Sequence, residues 1–212
     1  IYVTRDVSLV FDFIERPYSP VRFKELLVSP NEMKQKFIRL INEEIKNKQA
    51  GKPAYILIKI NHITDPVMVK KLYEASSHGV RIDLLVRGNC SLITGVPGVS
   101  DTIRINGIID RYLEHSRIFI FANGGDEKMF IGSADWMPRN LDNRVEVIAP
   151  VYDPEIKADL KRVVEYGLKD TLQGRVVDGT GENRPWISED KTAFRSQEEL
   201  YKYYLNENRI KD

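Results

Sequence analysis

Ala54–Ile60 (AYILIKI) is a nearly continuous apolar run, Asp65-Pro66 opens a helical stretch that ends at Gly79, and Arg81–Val86 (RIDLLV) is a second apolar run. Two such strands joined by a helix form a β-α-β unit, which demands parallel pairing and a right-handed crossover. The expected fold class is therefore α/β, a mixed β-sheet flanked by helices.

Upstream, Ser29-Pro30-Asn31-Glu32 offers a capping Ser, a Pro at the first helical position and a Glu at the third, predicting a helix to about Gln49. Met33, Phe37, Leu40, Ile41 and Ile45 form its apolar stripe, and Gly51 supplies a left-handed stop. Lys24–Val28 reads as a short strand before it, and residues 4–15 as an amphipathic helix capped by Thr4 and ended by Pro17 and Pro20. Downstream, Ser116–Phe121 and Lys128–Gly132 flank Asn123-Gly124-Gly125-Asp126 and read as a β-hairpin, Arg144–Ala149 as a further strand. Asp153-Pro154 caps a helix to about Asp170. From Gly174 the chain turns polar and Gly-bearing, so an extended or mobile segment is expected, with a terminal helix over Arg195–Asn206. The domain reading is residues 1–175 as one unit and 176–212 as a polar tail.

At 212 residues, 42% hydrophobic and 30% charged, the chain can bury a sizeable core, and collagen-like, mucin-like and wholly disordered classes are excluded. Its 32 Lys+Arg against 31 Asp+Glu leave a net charge of +1, so no global field favours nucleic acid or acidic lipid, and any polyanion site must be local. The lone Cys90 makes neither an internal disulfide nor a zinc cage, which points to the cytoplasm. No run nears the roughly 18 apolar residues of a membrane span. The chain opens Ile1-Tyr2-Val3, from which a piece of a longer polypeptide is expected.

Among three histidines, His78 sits where a side chain satisfies the last carbonyls of a helix, and His62 follows a strand as an ordinary loop residue. His115 is different. It shares a strand face with Arg117, which sets an imidazole, with its ordinary pKa of about 6.5, beside a guanidinium fork suited to phosphate oxygens. The hairpin returns Gly132-Ser133 to that place, adding a hydroxyl, and Arg139 lies close behind. Arg87, at the carboxyl end of a parallel strand, stands where open α/β sheets collect ligands. The bland readings remain open at this point: His115 as a strand-edge residue, Arg139, Arg144 and Glu146 as an internal ion pair, Trp136 as core, Cys90 as a quiet thiol.

His-x-Arg, Gly-Ser-x-Asp and Asn-x-x-Glu on three successive strands resemble half of the phospholipase D superfamily signature, with Arg117 replacing its Lys and Asp135 its Asn. DLLVRG (Asp83–Gly88), RYLEHSR (Arg111–Arg117), NGGD (Asn123–Asp126) and SADWMPRN (Ser133–Asn140), with PYSPVRF (Pro17–Phe23) and LLVSP (Leu26–Pro30), resemble the C-terminal domain of bacterial polyphosphate kinase over about residues 1–175. The resemblance implies a phospholipase D-like mixed sheet with helices on both faces. It also implies reversible transfer of the terminal phosphate of ATP to inorganic polyphosphate, through a phosphohistidine on the preceding domain of the same polypeptide.

Arg87 and His115 then correspond to ATP-phosphate contacts, with His115 also the catalytic proton-transfer partner, and Arg117, Ser133 and Arg139 supply supporting phosphate contacts. Mg²⁺ would enter through the full-length enzyme, a homo-oligomer, with no metal ligand on this chain and no activity of the isolated chain. Two other readings stand beside this one: a phospholipase D-like phosphodiesterase that completes its site by dimerisation, and a non-catalytic polyanion-binding module.

Overall fold

The computed structural model describes residues 2–16, 20–187 and 192–209. Ile1, Pro17, Tyr18, Ser19, residues 188–191 and residues 210–212 lie outside the described residues, and with them the Pro17 helix stop and part of the PYSPVRF stretch.

The elements run α1 (Tyr2–Glu15), β1 (Leu27–Ser29), α2 (Met33–Gln49), β2 (Tyr55–Ile60), α3 (Pro66–Ser77), β3 (Arg81–Val86), β4 (Ile103–Ile108), β5 (Arg117–Phe121), β6 (Lys128–Gly132), β7 (Glu146–Val151), α4 (Pro154–Lys169), β8 (Gly174–Val176) and α5 (Ser196–Arg209). The strands form one sheet in the order β1-β7-β6-β5-β2-β3-β4-β8. β2 pairs parallel with β3, Tyr55 opposite Arg81 through Ile60 opposite Val86, and β3 pairs parallel with β4. The remaining pairs are antiparallel, so the sheet is mixed.

Period-two alternation sorts the strand residues between two layers of helices. Ile56, Ile58 and Ile60 of β2 join Ile82, Leu84, Phe119 and Phe121 under α2 and α3, where Met33, Phe37, Ile41, Met68 and Leu72 close the larger core. Leu57, Leu85, Ile118 and Ile120 face the other way, onto Val164, Leu160 and Leu168 of α4. On that same side Val10 and Phe13 of α1 pack on Val28, Val147 and Ala149 near the β1 edge. A strand buried on both faces reads as an unbroken apolar run, which is why β2 and β3 stand out in the sequence.

Asp65 and Asp153 cap α3 and α4, each carboxylate accepting two backbone N–H groups of the first turn, with Pro at the start of each helix. The expected cap of α2 is not formed. Ser29 ends β1 opposite Glu146, its hydroxyl donates to the Asn140 carbonyl at 2.5 Å, and α2 starts only at Met33. The strand expected over Lys24–Val28 begins later because Asp6 takes the backbone N–H of Glu25 and Leu26, which removes those donors from any ladder. β4 has no counterpart among the strands read from the sequence. Here Asn106 is fully buried with its amide donating to the Gly167 carbonyl, and Gly107 leaves room for Val177. The strand expected over Arg144–Ala149 is displaced to Glu146–Val151 because residues 139–143 coil into a π-turn. The polar stretch after Gly174 holds no helix over its described residues to 187, and Gly174–Val176 pairs with β4 as the edge strand.

The core converges on Phe37, whose ring stands 4.8 Å from that of Phe119 and 5.1 Å from that of Trp136. Phe37→Ala is expected to cost about 3–5 kcal/mol, read as a lowered denaturation midpoint at unchanged slope in a urea titration.

Candidate phosphate-binding site

Five segments end or begin at one end of the sheet. Asn61-His62 leave β2, Arg87 leaves β3, His115 and Arg117 enter β5, Ser133–Asp135 leave β6, and Arg139–Arg144 lead into β7. They surround a hollow of about 350 Å³, which Glu146 of β7 also lines. Every site residue expected from the sequence, Arg87, His115, Arg117, Ser133 and Arg139, lies on this one wall system. Four guanidinium groups face two carboxylates there, so a chain of net charge +1 concentrates positive charge at this place. A larger hollow of about 650 Å³ borders the opposite, Asn123–Lys128 end of the hairpin, but its basic and acidic side chains nearly balance.

Asp135 organises the site. Its carboxylate, 4% exposed, accepts the backbone N–H of Asn61 and His62 and a two-point contact from Arg117, Nε to Oδ1 at 3.2 Å and Nη2 to Oδ2 at 3.1 Å. Burial pushes its pKa up, but the Arg117 guanidinium and those two amides outweigh burial and hold the carboxyl below the usual range. Arg117 Nη1 then donates to the His115 carbonyl at 2.9 Å and to His115 Nδ1 at 3.1 Å. Four donations of five N–H are thus committed inside the protein, which makes Arg117 a strut with one N–H to spare.

Ser133 is committed as well. Its hydroxyl donates to Glu146 Oε2 and accepts from Val147 N, while its backbone N–H bonds the Val147 carbonyl. Glu146 Oε1 accepts from Asn140 Nδ2 at 2.6 Å. The internal ion pair considered for Arg139, Arg144 and Glu146 is therefore not formed: Glu146 is taken by Ser133 and Asn140. Among the described residues the Arg139 and Arg144 side chains have no bonded partner. Arg87 gives only its Nε, at 2.6 Å to Asn61 Oδ1, leaving both terminal nitrogens of its fork free. The Asn61 amide nitrogen, buried behind it, has no partner.

The loop that delivers His115 is fastened from behind. Gln197 of α5 bonds both the N–H and the carbonyl of Tyr112 and reaches Glu114, whose carboxylate also pairs with buried Lys59 at 2.5 Å. Arg195 grips Asp110 with two nitrogens, and Asp170 takes the N–H and hydroxyl of Ser196.

Reading His62 as an ordinary loop residue missed its place on the hollow. The rule that placed Arg87, ligands gathering beyond the carboxyl ends of parallel strands, applies equally to the residue after β2. Trp136 is fully buried among Phe37 and Phe119, a core residue and not a stacking platform. His78 Nδ1 bonds the Glu74 carbonyl at its helix end. Burial pushes the Cys90 thiol up, so the sulfur is a quiet one. Among the described residues no group of three His, Cys, Asp or Glu gathers to hold a metal ion, and no helix is long and apolar enough to cross a membrane.

A mixed sheet with helices on both faces and this strand-end site defines a phospholipase D-like fold. Nuc of Salmonella typhimurium, a phospholipase D family member, shares it at TM-score 0.51 and 15% identity, over 73% of this chain and 97% of that one. The family described as polyphosphate kinase C-terminal domain 2 matches residues 26–197, and the chain belongs to it. Polyphosphate kinase of Escherichia coli K12 is 44% identical and that of Klebsiella pneumoniae 45% identical over 201 residues, 95% of this chain and 29% of each relative. The polyphosphate kinase structure from Porphyromonas gingivalis superposes at TM-score 0.91 and 38% identity, covering 98% of this chain and 32% of that one. The chain thus spans less than a third of the length of these relatives.

Asp135 is charged in the fold over a range where an ordinary carboxyl takes up its proton. The unfolded chain therefore binds that proton first on acidification, and the stability from Asp135, complete at neutral pH, drains away below about pH 4. Asp135→Asn is expected to lower stability at pH 7 and to flatten the loss between pH 5 and pH 3, measured by urea titrations at each pH.

Proposed function

We propose that this chain is the phosphate-holding part of a polyphosphate kinase, binding the phosphates of ATP and the end of an inorganic polyphosphate chain in the hollow at the strand ends. Terminal phosphate then passes reversibly between the two through a phosphohistidine carried on a preceding domain of the longer, oligomeric polypeptide. The observation that carries this reading is the set of uncommitted guanidinium forks, Arg87, Arg139 and Arg144, converging with His115 on one hollow. Phosphoryl transfer asks a protein chiefly to position groups and neutralise oxygens, which is what preset forks do.

Within the proposal, Arg87, Arg139 and Arg144 hold phosphate oxygens and His115 meets them at the same wall. Arg117 reaches them with its one spare N–H, and Ser133 does so only by releasing Glu146. Mg²⁺ travels with the nucleotide and supplies charge neutralisation when bound. The carboxylates of this hollow do not fit as its ligands, because Asp135 is held by Arg117 and Glu146 by Ser133 and Asn140. The remainder of the longer polypeptide would have to provide them. A cytoplasmic location accords with ATP as the donor.

The deciding experiment joins this chain to its natural upstream sequence and assays ATP-dependent polyphosphate formation. Arg87→Ala and His115→Ala should each abolish most of it; retention of full activity in both variants would remove the proposal. On the binding side, Arg144→Ala should weaken tripolyphosphate roughly tenfold to a hundredfold, the range expected when charge-assisted hydrogen bonds are lost. The same substitution should reduce the slope of log affinity against log salt, measured by titration calorimetry at several salt concentrations.

A further inference from the structure

Which hydrogen each imidazole of the hollow carries follows from what its Nδ1 touches. Arg117 Nη1 lies 3.1 Å from His115 Nδ1, and a guanidinium has hydrogens to give and no lone pair to receive. His115 Nδ1 must accept. The backbone N–H of Asn89 lies 2.9 Å from His62 Nδ1 and likewise can only donate. His62 Nδ1 accepts too. In both rings the second nitrogen, Nε2, has no partner among the described residues, and both rings line the hollow.

Neither contact is incidental. Arg117 is immobilised by Asp135, so the donor on His115 sits on a braced fork. The His62 ring rests against Gly88, where a Cβ would stand 2.4 Å from its Cε1 and 2.5 Å from its Nδ1. The residue after Arg87 is thus glycine because the imidazole occupies the space a side chain would need.

We propose that His62 and His115 are a pair of tautomer-locked hydrogen-bond donors, each presenting Nε2–H to a phosphate oxygen in the hollow, with Arg117 and the Asn89 amide as positioning groups. His62 becomes a binding residue of this site. The placement of the hydrogens rests on geometry alone; the phosphate as their recipient rests on the function proposed above. Adding a proton to either Nδ1 sets N–H against N–H and forfeits the internal bond. In that tautomer each ring polarises an oxygen by hydrogen bonding through Nε2–H, with no proton leaving it. A covalent step on His115 Nε2 needs a lone pair that this tautomer does not offer, which weighs against the two-copy phosphodiesterase reading.

Histidine-selective ¹⁵N labelling of the 212-residue chain tests this, each signal assigned by its loss in His62→Asn, His78→Asn or His115→Asn. Long-range proton–nitrogen correlations should show a pyridine-type Nδ1 and a pyrrole-type Nε2 for His62 and His115. His78 should show the reverse, since its Nδ1 donates to the Glu74 carbonyl, and it serves as the internal reference. A protonated Nδ1 on either His62 or His115 overturns the proposal. Arg117→Met should let the His115 signals move toward the average of two tautomers while His62 stays put; an unmoved His115 overturns the positioning role. Inorganic tripolyphosphate should shift the Nε2–H signals of His62 and His115 and leave His78 unchanged. Locked tautomers that do not respond to tripolyphosphate would instead remove the phosphate-binding reading. In the joined polypeptide, His62→Asn should weaken tripolyphosphate inhibition roughly tenfold to a hundredfold, the loss of one hydrogen bond to a charged oxygen.

Discussion

The site hangs on the carboxylate of Asp135. One buried anion joins the end of β2, through the amides of Asn61 and His62, to the start of β5, through Arg117, from its own position just beyond β6. The end of β2 and the β5-β6 hairpin, far apart in sequence, are thereby registered at one end of the sheet. The two charges are nearly out of water, so each requires the other: removing one partner of a buried pair leaves an uncompensated charge, typically a loss of about 3–5 kcal/mol. Where the phospholipase D-like signature has an uncharged Asn, this chain has Asp135, and its partner Arg117 stands in the place of the signature's Lys. The two departures belong together, as one ion pair.

That pairing explains a division of labour among the arginines that spacing alone does not reveal. Arg117 looks like a supporting phosphate ligand in the sequence because it shares a motif with His115. Once Asp135 and His115 have claimed four of its N–H groups, it serves to hold other groups still. The forks left for a ligand are on Arg87 and on Arg139 and Arg144, which flank the π-turn before β7. Glu146 could have neutralised the last two, but Ser133 and Asn140 occupy both of its oxygens. Acids near the site are thus spent on scaffolding, and the basic side chains remain available to an anion.

The parallel unit β2-α3-β3 was legible because its signals are local and agree: two apolar runs buried on both faces, and an Asp-Pro cap between them. α4 was legible for the same reason. Misreadings occur where a local signal meets a tertiary demand. Ser29 has the chemistry of a cap, but its neighbours pair with β7 and its hydroxyl finds Asn140 instead. β4 went unread, since what holds it in the sheet is a buried amide partner at Asn106 and a close neighbour at Gly107. The motif residues His115, Arg117, Ser133 and Arg139 line one hollow; the hydrogen-bond partners that decide what each can still offer come from other strands, and no spacing rule encodes them. His62 is the extreme case: its place after β2 is legible, but its orientation is fixed by Gly88 and Asn89 at the end of a different strand.

Preorganisation is the common thread of these contacts. A group that must turn to meet a phosphate loses rotamer freedom as it binds, whereas a group already held gives its full interaction to the ligand. Arg87 is aimed by Asn61, His62 by Asn89 and Gly88, and His115 by Arg117 from one side, while Gln197 fastens its loop from behind. The last of these contacts gives the C-terminal helix a physical stake in the site: Gln197 and Arg195 fix the segment from which His115 emerges, using hydrogen bonds and an ion pair, while Ser196 ties the start of the helix to Asp170. An anion of any shape would be attracted by the unpaired arginines. The fixed directions of the donors around them restrict which arrangement of oxygens can satisfy all at once, and that geometric demand turns a basic patch into a site.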